Sequence, residues 1–163
     1  MAGKNRIVRS VAPKSEFESA INVINSSLSF NQGDLLVFDA TNHVLKIPAA
    51  ETEGVTFVGI AECSISNGKL LTPYVTDVDA SQAIADVPGP KYGVVAKLGL
   101  HAGDSLNPGD PVYLSPSDGT YFVSATGTKA IGIYQGSAIV SAAAGTFVEV
   151  LLGCRNNNDT LKF

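Results

Sequence analysis

At 163 residues, 45% hydrophobic and 16% charged, the chain is long enough for one well-buried core and short for two. Its charged fraction lies below the roughly 25% of an average domain. Glycine is frequent, at 16 residues, a balance that suits an all-β protein of tight turns with neutral surface to bury against other subunits. No run approaches the roughly 18 apolar residues of a membrane span, and charges stand where a secretory leader needs its apolar segment. Synthesis and retention in a cytosol are therefore expected.

The first element, residues 1–29, reads as an arm. Residues 1–14 hold Lys4, Arg6, Arg9 and Lys14 with no acid, a charge of +4, while seven basic and fifteen acidic residues leave the remainder at −8. Basic and small residues alternate without a helical period, so the segment is expected to be extended and able to lie on an anionic surface. The bland alternative is a solvated terminus. Exposed ion pairs give only about 0–1 kcal/mol each, so burial of Ile7, Val8, Val11 and Phe17 would have to supply most of the grip. On this reading, deleting residues 1–14 leaves the melting temperature of the body nearly unchanged. From Ser15 two readings stand. Ser15-Glu16-Phe17-Glu18 fits a helical capping box, with Phe17, Ile21 and Ile24 at i, i+4 and i+7. The Asn, Ser and β-branched residues of 21–30 favour an extended segment joining a sheet.

The body, residues 30–154, opens on a motif that occurs twice. Asn31-Gln32-Gly33-Asp34 precedes the apolar run Leu35-Leu36-Val37-Phe38, and Asn107-Pro108-Gly109-Asp110 precedes Pro111-Val112-Tyr113-Leu114. Each run is followed by a polar turn, a second short run (Val44–Ile47 or Tyr121–Val123) and an apolar-Gly-apolar triplet, Val58-Gly59-Ile60 or Ile131-Gly132-Ile133. One hairpin unit has been reused. Gly33 and Gly109 can take positive φ, and Asp34 and Asp110 can bond nearby backbone, so all four are structural turn residues. Strands are predicted near 35–39, 43–47, 55–62, 70–75, 92–98, 111–114, 120–124, 129–135 and 146–152, a spacing that indicates an all-β sandwich or barrel-like domain of short antiparallel strands. Thr76–Pro90 has no clear period and is expected to be a long surface loop. Residues 155–163 form a polar tail.

Chemistry is hard to place on this pattern. His43 and His101 have no Cys, Asp or Glu at ligand spacing, and Asp77-Val78-Asp79 lacks the Gly and Glu that an EF-hand loop requires. Cys63 and Cys154 are expected at strand ends as small hydrophobes rather than as a disulfide or a metal site. No nucleophile elbow or phosphate-binding loop occurs. A carrier-domain reading fails because the turn Ser115–Gly119 has no lysine to modify, and a sugar-stacking face is unsupported because there is no Trp. The acidic body argues against nucleic acid. The expectation is a protein without enzymatic activity, cofactor or metal, and with no nucleic-acid or membrane partner.

Gly109–Gly119, Ala130-Ile131-Gly132-Ile133 and Phe147–Leu152 resemble the C-terminal half of the capsid cement, or decoration, proteins of tailed bacteriophages. Phe30–Leu36 and Phe57–Ala61 are similar to that family's first half, in the same order. The likeness covers most of residues 30–153. It implies a structural subunit that binds the outer surface of the virion capsid, commonly as a homotrimer, with the major capsid protein as partner and the host bacterial cytoplasm as the place of synthesis. On that view Lys4, Arg6, Ile7, Arg9, Val11 and Lys14 are the candidate capsid contacts. The alternative is a ligand-binding β module, such as a phage tail or host-surface adhesin domain.

Overall fold

The computed structural model describes residues 6–14, 29–42, 44–66, 69–71, 90–116, 122–155 and 161–163. The fork at 15–28, the predicted loop up to residue 89, Lys4 and His43 lie outside them. In chain order the strands are β1 (Arg6–Lys14), β2 (Leu35–Asp39), β3 (Val44–Lys46), β4 (Phe57–Ile60), β5 (Ser64–Ser66), β6 (Lys69–Leu71), β7 (Tyr92–Gly99), β8 (Pro111–Leu114), β9 (Val123–Ser124), β10 (Ala130–Tyr134), β11 (Phe147–Leu152), β12 (Cys154–Arg155) and β13 (Leu161–Lys162). A 3₁₀ turn, Glu51–Thr56, leads into β4. The fold is all-β, with antiparallel sheets, one of them curled into a half-barrel.

Six strands form the largest sheet in the order β1-β7-β11-β10-β8-β9, and three form a second in the order β3-β2-β4. Period-two alternation builds the core. Val94, Ala96 and Leu98 of β7 stand opposite Leu152, Val150 and Val148 of β11, and all six are buried. Between them, on the other face, Lys97 is opposite Glu149. Leu35, Val37, Phe57 and Ile60 of the second sheet enter the same apolar cluster, so the two sheets share one core.

The sequence repeat is also a repeat of topology. β2 has β3 on one side and β4 on the other; β8 has β9 and β10 in the same places. Leu35 and Leu36 pair with Ile60 and Gly59, and Pro111 and Val112 pair with Ile133 and Gly132. One step further both ladders slip, to Val37 opposite Phe57 and Tyr113 opposite Ala130. Val58 and Ile131 are thus the extra residues of two equivalent β-bulges, and both are buried.

The glycine of each triplet permits a close crossing. Gly59 has φ +138°, and a Cβ there would lie 2.8 Å from the Lys91 carbonyl carbon. The flanking Ile60 exchanges both backbone hydrogen bonds with Lys91, at 3.0 and 2.9 Å. At Gly132 a Cβ would lie 2.6 Å from Leu151 O on β11. Two copies of one triplet therefore let two different strands approach.

Before β4 the 3₁₀ turn is anchored by Glu53. Its carboxylate accepts the N–H groups of Ala49 and Ala50 and pairs with Lys46. Burial pushes the carboxyl up, but the Lys46 contact and the two N–H donors outweigh it and hold the group below the usual carboxylate range. A lowered folded-state pKa means that the contribution is present above the unfolded value and fades as pH falls through the folded one. Glu53→Gln should cost about 0.5–1 kcal/mol at pH 7, since the pair is partly exposed. Urea melts should show that difference shrinking below about pH 4. A pH-independent difference would mean that shape, not charge, holds the turn.

Candidate functional site

The two Gly-Asp turns have the same hydrogen-bond circuit. The Asp34 N–H donates to Asn31 O at 3.0 Å while Asp34 Oδ2 accepts the Asn31 N–H at 2.7 Å. The Asp110 N–H donates to Asn107 O at 3.0 Å while Asp110 Oδ2 accepts the Asn107 N–H at 2.7 Å. Gly33 and Gly109 have φ of 93° and 90°, and Gln32 and Pro108 before them have negative φ, which defines type II turns. Each turn also clips to the end of a neighbouring strand. Gly33 donates to Ala61 O (2.9 Å) and Asp34 O accepts from the Ala61 N–H (2.8 Å); Gly109 and Asp110 make the same two bonds with Tyr134, at 3.0 and 2.9 Å.

A third turn of this kind escapes the sequence pattern. In His101-Ala102-Gly103-Asp104, Gly103 has φ 88° and the Asp104 N–H donates to His101 O at 3.3 Å. Gly103 and Asp104 clip to Ala142 through two 2.8 Å bonds. Here the carboxylate reaches across the chain, accepting the Ser124 hydroxyl at 2.8 Å and the Ala125 N–H at 2.7 Å, with His101 Nδ1 3.6 Å away. All three aspartates are occupied in holding the fold. Burial raises the Asp34 carboxyl above the usual range, opposed by the Asn31 N–H.

Five of the candidate contact residues fall on one extended strand. Arg6, Ile7, Arg9, Val11 and Lys14 do not sit on an arm apart from the body; they lie on β1, an edge strand of the six-stranded sheet. Arg6 pairs with Lys97, Ile7 with Ala96, Arg9 with Val95 and Lys14 with Tyr92, while Val11 falls in an irregular stretch between Ser10 and Lys14. The alternation taken for an extended arm is the alternation of a strand. Three basic residues are thereby placed along one rim.

Other candidates resolve into structure. Neither cysteine is part of a disulfide. Cys154 is buried, and burial, then the charge of Glu62, pushes the Cys63 thiol up to about 11, which leaves little reactive thiolate. Among the described residues no group of three or more His, Cys, Asp or Glu could hold a metal ion, and no helix is long and apolar enough to cross a membrane.

One concave feature had no sequence signal. A shallow apolar hollow of about 80 Å³ lies between the two repeats, lined by Asp34, Leu35, Ile47, Pro48, Leu114, Pro116 and Phe122. Its residues come from strand ends and loops far apart in the chain, so no local motif marks it. Leu35 and Leu114 are buried in its floor, whereas Ile47 is 46% exposed at its rim. No protein-family model matches the chain, and no curated protein matches its sequence.

Proposed function

We propose that this protein is a non-enzymatic decoration subunit of a tailed-phage head, binding the outer capsid surface across capsomer junctions and stabilising the expanded shell. The observation that carries the reading is the repeat. Both copies of the unit devote their distinctive polar and glycine residues to turns, bulges and strand crossings, as a scaffold does. The ordered resemblance of residues 30–153 to cement proteins points the same way. A subunit that buries surface across a junction stabilises the assembled state only, by mass action, and many copies acting together need only modest affinity each. β1 supports the role by placing Arg6, Arg9 and Lys14 on the rim of the sheet, where a partner can approach an edge strand.

Co-sedimentation with expanded heads and with unexpanded procapsids of the encoding phage tests this. Binding to expanded heads, weaker on procapsids, is the expected result. Replacing Lys4, Arg6, Arg9 and Lys14 by Gln should weaken binding and flatten its salt dependence, because exposed charges are screened over about 10 Å at 0.1 M salt. Absence of binding to either shell, with specific retention on a glycan array, would transfer the protein to the adhesin class.

A further inference from the structure

We propose that the outer edge of β3 is the docking site of residues 23–25 of this same chain, held along it as residues 99–101 are held along β9. The repeat supplies the argument. Leu45 of β3 pairs with Phe38, and Val123 of β9 pairs with Leu114. Phe38 and Leu114 each stand four residues after the aspartate of a Gly-Asp turn, and Leu45 and Val123 are both 0% exposed. They are equivalent positions. The second edge of β9 is taken: Val123 bridges Leu100 in parallel, the Phe122 N–H donates to Gly99 O at 3.0 Å, and the His101 N–H donates to Val123 O at 2.9 Å. Among the described residues β3 is paired with β2 alone.

The occupant follows from the spacing. The residue before each turn motif is anchored alike: Phe30 exchanges two backbone hydrogen bonds with Ile65, at 3.0 and 2.8 Å, and Leu106 exchanges two with Ile139 at the same distances. Leu100 lies six residues before Leu106, and Ile24 lies six before Phe30. Val23, Ile24 and Asn25 thus stand in the sequence where Gly99, Leu100 and His101 stand in the second repeat, with the same length of chain available to reach the edge.

The residue types suit the place. Val23 and Ile24 are β-branched and favour a strand, and Ile24 answers to Leu100, which is fully buried against the core. From Ser19 to Gly33 no residue is charged, so pairing there desolvates no ion. A bare strand edge is a template for other chains, and a segment of the same chain is the occupant that the second repeat itself displays. The inference concerns the isolated protein and stands apart from the shell reading.

Amide hydrogen exchange and cross-strand nuclear Overhauser contacts, measured by NMR on the isolated full chain, provide the test. By the pattern of the second repeat the Asn25 N–H donates to Leu45 O. Asn25 should therefore exchange at least about a hundredfold more slowly than open backbone, and residues 23–25 should show Overhauser contacts to Val44, Leu45 and Lys46. Ile24→Asp should speed exchange at Asn25 by about tenfold or more and leave His101 unchanged. Ile24→Ser replaces it, with the same expected result, if that variant does not fold. Open-rate exchange at Asn25, contacts that place residues 23–25 elsewhere, or an Asn25 rate indifferent to the substitution would each overturn the proposal. Contacts to β3 that appear only at high protein concentration would give the edge to a second copy, and a β3 edge covered only on phage heads would give it to a capsid segment; either result overturns it as well.

Discussion

Gly59→Ala is expected to destabilise the protein by about 3–5 kcal/mol, one of the largest effects of any single added methyl group in this fold. Two costs combine there. The residue has φ +138°, and the new Cβ would be driven into the backbone of Lys91, which cannot withdraw without breaking its paired hydrogen bonds to Ile60. Gly109→Ala separates the terms, because its φ of 90° is unfavourable for alanine but nothing lies within 4 Å of the new Cβ. It should cost only about 1–2 kcal/mol. Gly132→Ala carries the crossing cost against Leu151 and should fall between them. Urea unfolding of the three variants ranks the effects; equal midpoint shifts at Gly59 and Gly109 would show that the strand crossing does not hold.

Deletion of residues 1–14 is expected to lower the melting temperature by roughly 10 °C or more and to promote aggregation. A free arm predicts almost no change. β1 is paired to β7 at five positions between Arg6 and Lys14. Its removal strips a ladder of hydrogen bonds, each contributing about 0.5–1.5 kcal/mol net, and turns β7 into an unprotected edge. Thermal melts with and without added synthetic peptide 1–14 give the answer, and the peptide should recover part of the loss. An unchanged melting temperature would return the segment to the status of a detached arm, and shell binding by the truncated protein would then report on the arm in isolation.

The strands that were legible in the sequence are those whose apolar runs are bounded by strong turn chemistry. β2 and β8 follow Gly-Asp turns, and β7 and β11 are rich in Val and Leu, so local propensity and tertiary pairing agree. Where they disagree, the pattern fails. The third turn was missed because His101 replaces the opening Asn and Ser105-Leu106 replaces the apolar run; its Asp104 acts on Ser124 and Ala125, twenty residues away, which no local pattern reveals. β5 is Ser-Ile-Ser, a single β-branched residue between two serines and too little to mark a strand locally, yet it pairs with β6. Residues 155–163 were expected to be a polar tail, but β12, which ends in Arg155, pairs with β13 at Leu161–Lys162, and Arg155 Nε donates to Ala130 O at 2.8 Å. The apolar hollow is assembled from Asp34, Ile47 and Leu114 only when the repeats pack, so it was unreadable before the fold was known.

The placement of β1 also sets an order of events during synthesis. Its partner β7 follows about 80 residues later, so closing that pair costs loop entropy that the local hairpins do not bear. The Gly-Asp turns, by contrast, close within four residues and clip strands already nearby. Of the described strands β1 emerges first and is thus among the last to find its place, and it must stay soluble until its partner β7 emerges. Its three basic residues meet that need: a nascent strand carrying like charges repels its copies on neighbouring chains, and the same charges that later lie on the rim of the sheet guard the chain while it is being made.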